Sequence, residues 1–246
     1  MNLIASAVFL VVYLLGNKGS VISTLAMMAA MFGAVIALMN GIPLRLGTVD
    51  NDGYNALSLG KSKEAMYAFW LQLKINEWVS KGIRLKDMPD GWFVLPTDEA
   101  MKNSMVAVQG IFSCSRLLDQ HRFEEADQLM KHLLDLDSGI VGLHRSLLVC
   151  DRMYCEMIGE NRRDVLDAWL TKEQKQFMKS MKKYPSVVRT SYVYSLLSEK
   201  DEAKARACLE LFKKTARTYP YPGEIQSEWE LIEIAQGEKA SRLDTL

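Results

Sequence analysis

Charge is almost absent from the start of this sequence: between Met1 and Leu44 only Lys18 carries it. A stretch so poor in charge is ill suited to facing water, and this one is long enough to face lipid instead. The remaining charges balance, 30 basic against 30 acidic, and a chain with no basic excess is not a general nucleic-acid binder. Cysteine is sparse. Cys114, Cys150, Cys155 and Cys208 form no C-x-x-C pair, which argues against a zinc ribbon and a disulfide frame and for reduced, packed thiols. Histidine is sparser: His121, His132 and His144 lack the His-Glu-x-x-His spacing, and surface or capping roles are expected for them. A Gly-rich phosphate loop and a nucleophile elbow are also missing.

What is present at the front is apolar length. Gly19 to Leu44 runs without a charge, enough helix to cross a hydrocarbon core of roughly 30 Å with some tilt. Asn2 to Leu15 is a shorter apolar arm, and "GNKGS" joins the two as a tight turn, which predicts a transmembrane helical hairpin. No Lys or Arg precedes the first arm, so it lacks the basic region of a signal peptide. A span without its flank reads as the continuation of a longer chain, numbered from an internal Met, with a true start at Met1 as the other reading. Along the second arm Ala29, Gly33, Ala37 and Gly41 recur every four residues beside a row of Ala26, Ala30 and Ala34. That spacing lets another helix approach closely in lipid. Lys18 alone sits between the arms, whereas Arg45, Lys61 and Lys63 follow the second. The positive-inside bias therefore predicts an integral membrane protein, of bacterial plasma-membrane type, with its long C-terminal part in the cytoplasm.

The second arm ends in "MNGIPLRLGTVDNDGY". Asn40 brings an amide to the membrane boundary, and Pro43 cannot continue the helix and disfavours it at Ile42. Asp50 and Asp52 then place carboxylates near lipid, where an ionisable group is a functional-site candidate. A plainer reading stays open, in which Asp52-Gly53 is a turn or an N-cap for "YNALSL".

Asn40-x-x-Pro43 followed by Asp52-Gly53 resembles the second signature of the site-2 protease family of intramembrane zinc metalloproteases, over roughly residues 1–70. In that family an upstream membrane helix carries His-Glu-x-x-His, whose histidines bind zinc and whose glutamate activates the attacking water. The resemblance implies that Asp52 is the third zinc ligand, that Gly53 allows close approach, that Pro43 opens the helix and that Asn40 lies near the substrate strand. Two imidazoles and a carboxylate would leave one zinc position for a water whose pKa falls toward neutrality. There are two departures. Pro43 and Asp52 lie nine positions apart, more than in many members, and the His-Glu-x-x-His helix is lacking. Zinc would thus need ligands from outside this chain, and the substrates implied are membrane-spanning proteins.

Beyond the motif, Gly60 is a predicted helix stop and Ser62 an N-cap. Met66, Phe69, Trp70, Leu73 and Trp78 fall largely on one face, suited to a membrane surface or to packing on the downstream domain. Pro89, Asp90, Gly91 and Pro96 punctuate a linker. From Thr97 helix follows helix. Residues 103–137 and 186–222 each read as a helical pair of about tetratricopeptide length, with Ala126 at a small contact position, and a longer-linked pair lies between them. The similarity to tetratricopeptide arrays is architectural, and an irregular helical bundle is the competing reading.

The predicted fold is all-α. Residues 1–60 form transmembrane helices ending in the motif, 61–96 an amphipathic helix and linker, and 97–246 a soluble, tetratricopeptide-like cytoplasmic domain. Two functions fit. One is the C-terminal part of a site-2-type protease, inactive as the chain stands, whose helical tail binds a peptide or protein partner. The other is a non-catalytic, membrane-anchored helical-repeat adaptor.

Overall fold

Two apolar helices open the chain, α1 (Asn2–Leu15) and α2 (Val21–Gly41), and small residues set how closely they meet. The computed structural model describes residues 2–45, 47, 49–60 and 62–244, with side chains to 242; Met1 and Lys61, used above for the chain start and the charge bias, lie outside them. Ser20 caps α2 by accepting the Ser23 N–H at 3.1 Å. The two helices run antiparallel, because Ser23 donates to the Tyr13 carbonyl at 3.4 Å while Gly33 lies beside Ser6 near the other end. Ser6, Ser23, Ala26 and Ala30 are buried between them. A methyl group on Gly33 would stand 2.2 Å from Ser6 Oγ, so any larger residue there would displace the Ser6 hydroxyl from its place between the helices. α1 therefore occupies one face of α2, and Ala29 and Ala37 at its margin stay half-buried. The other faces carry large apolar side chains in the open, Phe32 at 64% and Leu38 at 58% exposure. Among the described residues, α2 is the helix long and apolar enough to cross a membrane; α1 is shorter.

The chain divides into two compact units, residues 1–61 and 62–246. The first ends with α3 (Asp52–Leu59), stopped at Gly60. The second begins with α4 (Lys63–Ser80), capped by Ser62 Oγ on the Ala65 N–H at 3.0 Å. Its buried stripe is Ala65, Ala68, Leu71, Ile75 and Val79, at the i, i+3 and i+4 spacings of a helix lying on a core. The bulkier residues on the opposite face, Met66, Tyr67, Trp70 and Leu73, remain exposed. Trp78 is half-buried and packs on Trp92 with ring centroids 4.8 Å apart.

Residues 83–93 make two tight 3₁₀ turns against α4, with Met88 buried between them. Among the described residues eight α-helices follow: α5 (Ser104–Asp119), α6 (Phe123–Asp135), α7 (Gly142–Ile158), α8 (Arg163–Trp169), α9 (Lys172–Ser180), α10 (Pro185–Val193), α11 (Glu202–Ala216) and α12 (Pro222–Asp244). No strand occurs among the described residues. α5 packs on α6 and α6 on α7, and α10 on α11, while α12 crosses back to α4, α7 and α10. Gly223 permits that return, since a Cβ there would lie 2.6 Å from the Ile83 carbonyl oxygen. Ala126, Met130 and Leu133 of α6 are fully buried, with Ala126 where a larger side chain would hold α6 away from its neighbours. All four cysteines are free thiols, and burial pushes those of Cys114, Cys150 and Cys155 upward in pKa, so they pack as small apolar groups.

Arg84 ties the beginning of the second unit to its end. Its Nε donates to Asp119 Oδ1 of α5 at 2.9 Å and its Nη2 to Glu230 Oε2 of α12 at 2.9 Å. The Lys86 N–H donates to Asp119 Oδ2 at 2.9 Å, so both oxygens of a fully buried carboxylate are satisfied. The same guanidinium pulls the Glu230 carboxyl down to about 2. That depression stabilises the fold above the ordinary carboxylate range and is lost as pH falls toward 2. Replacing Arg84 by Met should cost roughly 3–5 kcal/mol, because Asp119 is left charged and buried. Urea unfolding of the Arg84→Met protein checks this, and a loss under about 1 kcal/mol would contradict it.

Candidate functional site

A helix that ends leaves its last four carbonyls without partners, and the end of α2 finds donors in one side chain. Ile42 leaves helical geometry, as expected for the residue before Pro43, and its N–H still reaches Leu38 O. Asn51 then closes the loop from the far side. Its Nδ2 donates to the carbonyls of Met39 and Ile42, each at 2.6 Å. Its Oδ1 accepts from Leu44 N at 2.9 Å and from Tyr54 N at 2.9 Å, the second contact being the N-cap of α3. The backbone adds Asn51 N–H to Leu44 O at 3.2 Å. Asn51 is itself buried. The cap of α3 is thus Asn51, and Asp52 is the first helical residue rather than the cap.

Gly53 lies against the end of α2. A Cβ on it would stand 2.6 Å from Gly41 O and 2.9 Å from Asn40 O, both backbone atoms that cannot swing aside. The structure therefore brings Gly53 onto the backbone of Asn40 and Gly41, with Pro43 at the break between them. The Asn40 side chain is exposed on the last turn of α2.

The two carboxylates of the motif differ. The Asp50 side chain is 5% exposed, faces Arg45 Nε at 3.5 Å and keeps Oδ2 buried without a hydrogen bond among the described residues. Arg45 also stacks over the Tyr54 ring, 5.2 Å from its centroid. Asp52 is exposed in the first turn of α3, and no hydrogen bond or ion pair engages its carboxylate among the described residues. One carboxylate is a single ligand. Among the described residues no three His, Cys, Asp or Glu side chains converge into a group able to hold a metal.

The histidines lie in the second unit. His121 takes a left-handed backbone (φ 59°) in the α5–α6 turn, with Nε2 3.2 Å from Glu230 Oε2, and His132 pairs with Asp98 at 2.9 Å. His144 borders an interior cavity, where burial lowers its pKa. The Asn51 bracket is not among the features the sequence predicts. Its signal was an Asn directly before a helix start, the preferred N-cap position.

No known protein family, characterised protein or solved structure matches the chain.

Replacing Asn51 by Ala removes the cap, about 1 kcal/mol, and strands the Met39 and Ile42 carbonyls at a further ~1–3 kcal/mol. Amide hydrogen exchange should therefore accelerate at Leu44 and Tyr54 in Asn51→Ala and stay unchanged in Asn40→Ala. Equal exchange in both variants would contradict this account of the junction.

Proposed function

We propose that this chain is the C-terminal part of a site-2-type intramembrane zinc metalloprotease, in which Asp52 contributes a zinc ligand. The observation that carries the reading is the contrast at the α2–α3 junction. Asn51 spends its hydrogen bonds on backbone, Asp50 is buried facing Arg45, and Asp52 presents an exposed carboxylate that no hydrogen bond or ion pair engages among the described residues. A fixed, open carboxylate is what a metal held partly by another helix requires. Gly53, pressed against Asn40 and Gly41, keeps that carboxylate beside the end of the span.

In this reading two histidines and a glutamate come from a His-Glu-x-x-His helix outside this chain, and bound zinc supplies a water acidic enough to attack a peptide bond. α2 crosses the bilayer, which its large exposed apolar side chains and buried small ones favour. The second unit lies on the cytoplasmic side, following the charges after α2. Its helical pairs serve as a tetratricopeptide-like surface for a peptide or protein partner, and the substrates are membrane-spanning proteins.

Zinc analysis of the native, C-terminally tagged protein separates this from a non-catalytic adaptor. About one zinc per chain is expected in the wild type and in Asp50→Asn, and a large loss in Asp52→Asn. A zinc-free wild type, or equal zinc in Asp52→Asn, would overturn the proposal.

A further inference from the structure

The second unit encloses a second polar site that has no part in the junction chemistry. A partly enclosed cavity of about 310 Å³ lies among α4, α5, α7, α10 and α12, large enough for a small ligand or one side chain. Its acidic wall is Asp119, already held by Arg84 and the Lys86 N–H, together with Asp151, Glu224 and Glu228. The cation on that wall is Arg189, which is fully buried and already committed: Nε donates to Glu228 Oε2 at 2.8 Å and Nη2 to Asp151 Oδ1 at 2.6 Å. The guanidinium also lies 4.6 Å from the centroid of Tyr154. One guanidinium thus serves two acids, whose carboxyls burial pushes up in pKa while Arg189 pulls them back down. Asp151 Oδ2 accepts no hydrogen bond among the described residues.

Among the described residues Glu224 makes no hydrogen bond with Arg189, and its oxygens accept from Tyr219 Oη, at 3.1 and 3.2 Å. Burial, with Glu228 and Asp151 repelling it and Arg189 only partly offsetting them, raises its carboxyl to about 8. His144 adds no compensating charge near neutral pH, since burial depresses its pKa. Opposite the carboxyls, Tyr184 meets Tyr219 edge-on with centroids 6.2 Å apart, and Tyr219 meets Tyr221 at 5.7 Å. Aromatic rings beside carboxylates, with the Arg189 guanidinium already committed, select a positive ligand and reject an anion.

We propose that this cavity binds an alkylammonium group, presented by a small diamine or by a lysine side chain, between the tyrosines and the Glu224–Glu228–Asp151 wall. The ammonium supplies the cation that Glu224 lacks. Glu224 then gives up its carboxyl proton to solvent and forms a charge-assisted hydrogen bond with the ligand. Binding therefore strengthens as pH rises toward 8 and levels off above it, while the amine, with an ordinary pKa of about 10.4, stays charged.

Isothermal titration of the full chain in detergent micelles tests this, with 1,5-diaminopentane and the peptide Gly-Lys-Gly as probes. Run at pH 7 in two buffers of different ionisation enthalpy, wild-type binding should release about one proton per ammonium bound. Diamine binding alone assigns a small-molecule ligand, and binding of the peptide assigns a lysine side chain. Glu224→Gln copies the protonated carboxyl, so it should fold as the wild type does. Because the wild-type carboxyl is raised, the wild type loses stability as pH climbs from 4.5 toward about 8, and the variant should melt higher than wild type at pH 9. Its amine affinity should fall at least about tenfold, with proton release abolished. Tyr184→Leu should weaken binding and leave proton release intact. The proposal is overturned if neither amine binds, if Glu224→Gln binds them as tightly as wild type, or if inorganic phosphate binds in their place.

Discussion

A backbone carbonyl that loses its helix partner in apolar surroundings must find another donor, and that constraint governs the first unit. α2 is stopped by Pro43, and its final carbonyls come free where the chain has little else to offer. Asn51 meets the need from twelve and nine residues further along the chain: it holds Met39 and Ile42 with its amide while its oxygen starts α3. Everything proposed for Asp52 depends on this bracket. Because Asn51 takes the capping role, the next residue enters the helix with its carboxylate uncommitted. Because Gly53 has no side chain, α3 can settle on the backbone of Asn40 and Gly41.

The second unit obeys the same rule with charges in place of carbonyls. Among the described residues Arg84, Arg116 and Arg189 are buried, and Arg84 and Arg189 are each met by carboxylates from two other helices. Arg84 joins the turn after α4 to α5 and α12. Arg189 joins α10 to α7 and α12. α12 is common to both, which explains why the last helix runs back through the unit and contacts α4, α7 and α10. Buried ion pairs of this kind contribute more to holding one arrangement than to raw stability, since each also carries a large desolvation cost. The acid left over beside Arg189 gives the cavity its character.

Helix class was legible in the sequence because its signals are local. Ser62 before an amphipathic run, Gly60 after a short one, and Pro43 after a long apolar one each act within a turn of where they stand. Partners across gaps were not legible. Asn51 reads as an ordinary loop residue until the end of α2 is brought back to it, and Asp151, Arg189 and Glu228 are unremarkable surface-type residues until three helices converge. The α4 face shows a different limit. Its large side chains, Met66, Phe69, Trp70 and Leu73, dominate the pattern, yet the residues that pack are Ala65, Ala68, Leu71, Ile75 and Val79. Small side chains let the helix backbone approach its neighbours, and bulk alone does not mark a buried face. The carboxylates of the motif divided in a way the sequence could not foretell, because Asp50 and Asp52 are separated only by the direction in which a capped helix starts.

The central claim is that position 52 lies within bonding distance of a zinc ion in the native protein. Zinc-edge X-ray absorption on native protein carrying Asp52→Cys tests it directly, since the cysteines of the second unit are far from solvent or half-buried and form no metal group among the described residues. The account predicts only nitrogen and oxygen neighbours, at about 2.0–2.2 Å, in the wild type, and one added sulfur at about 2.3 Å in the variant. Identical shells in the two proteins would contradict it.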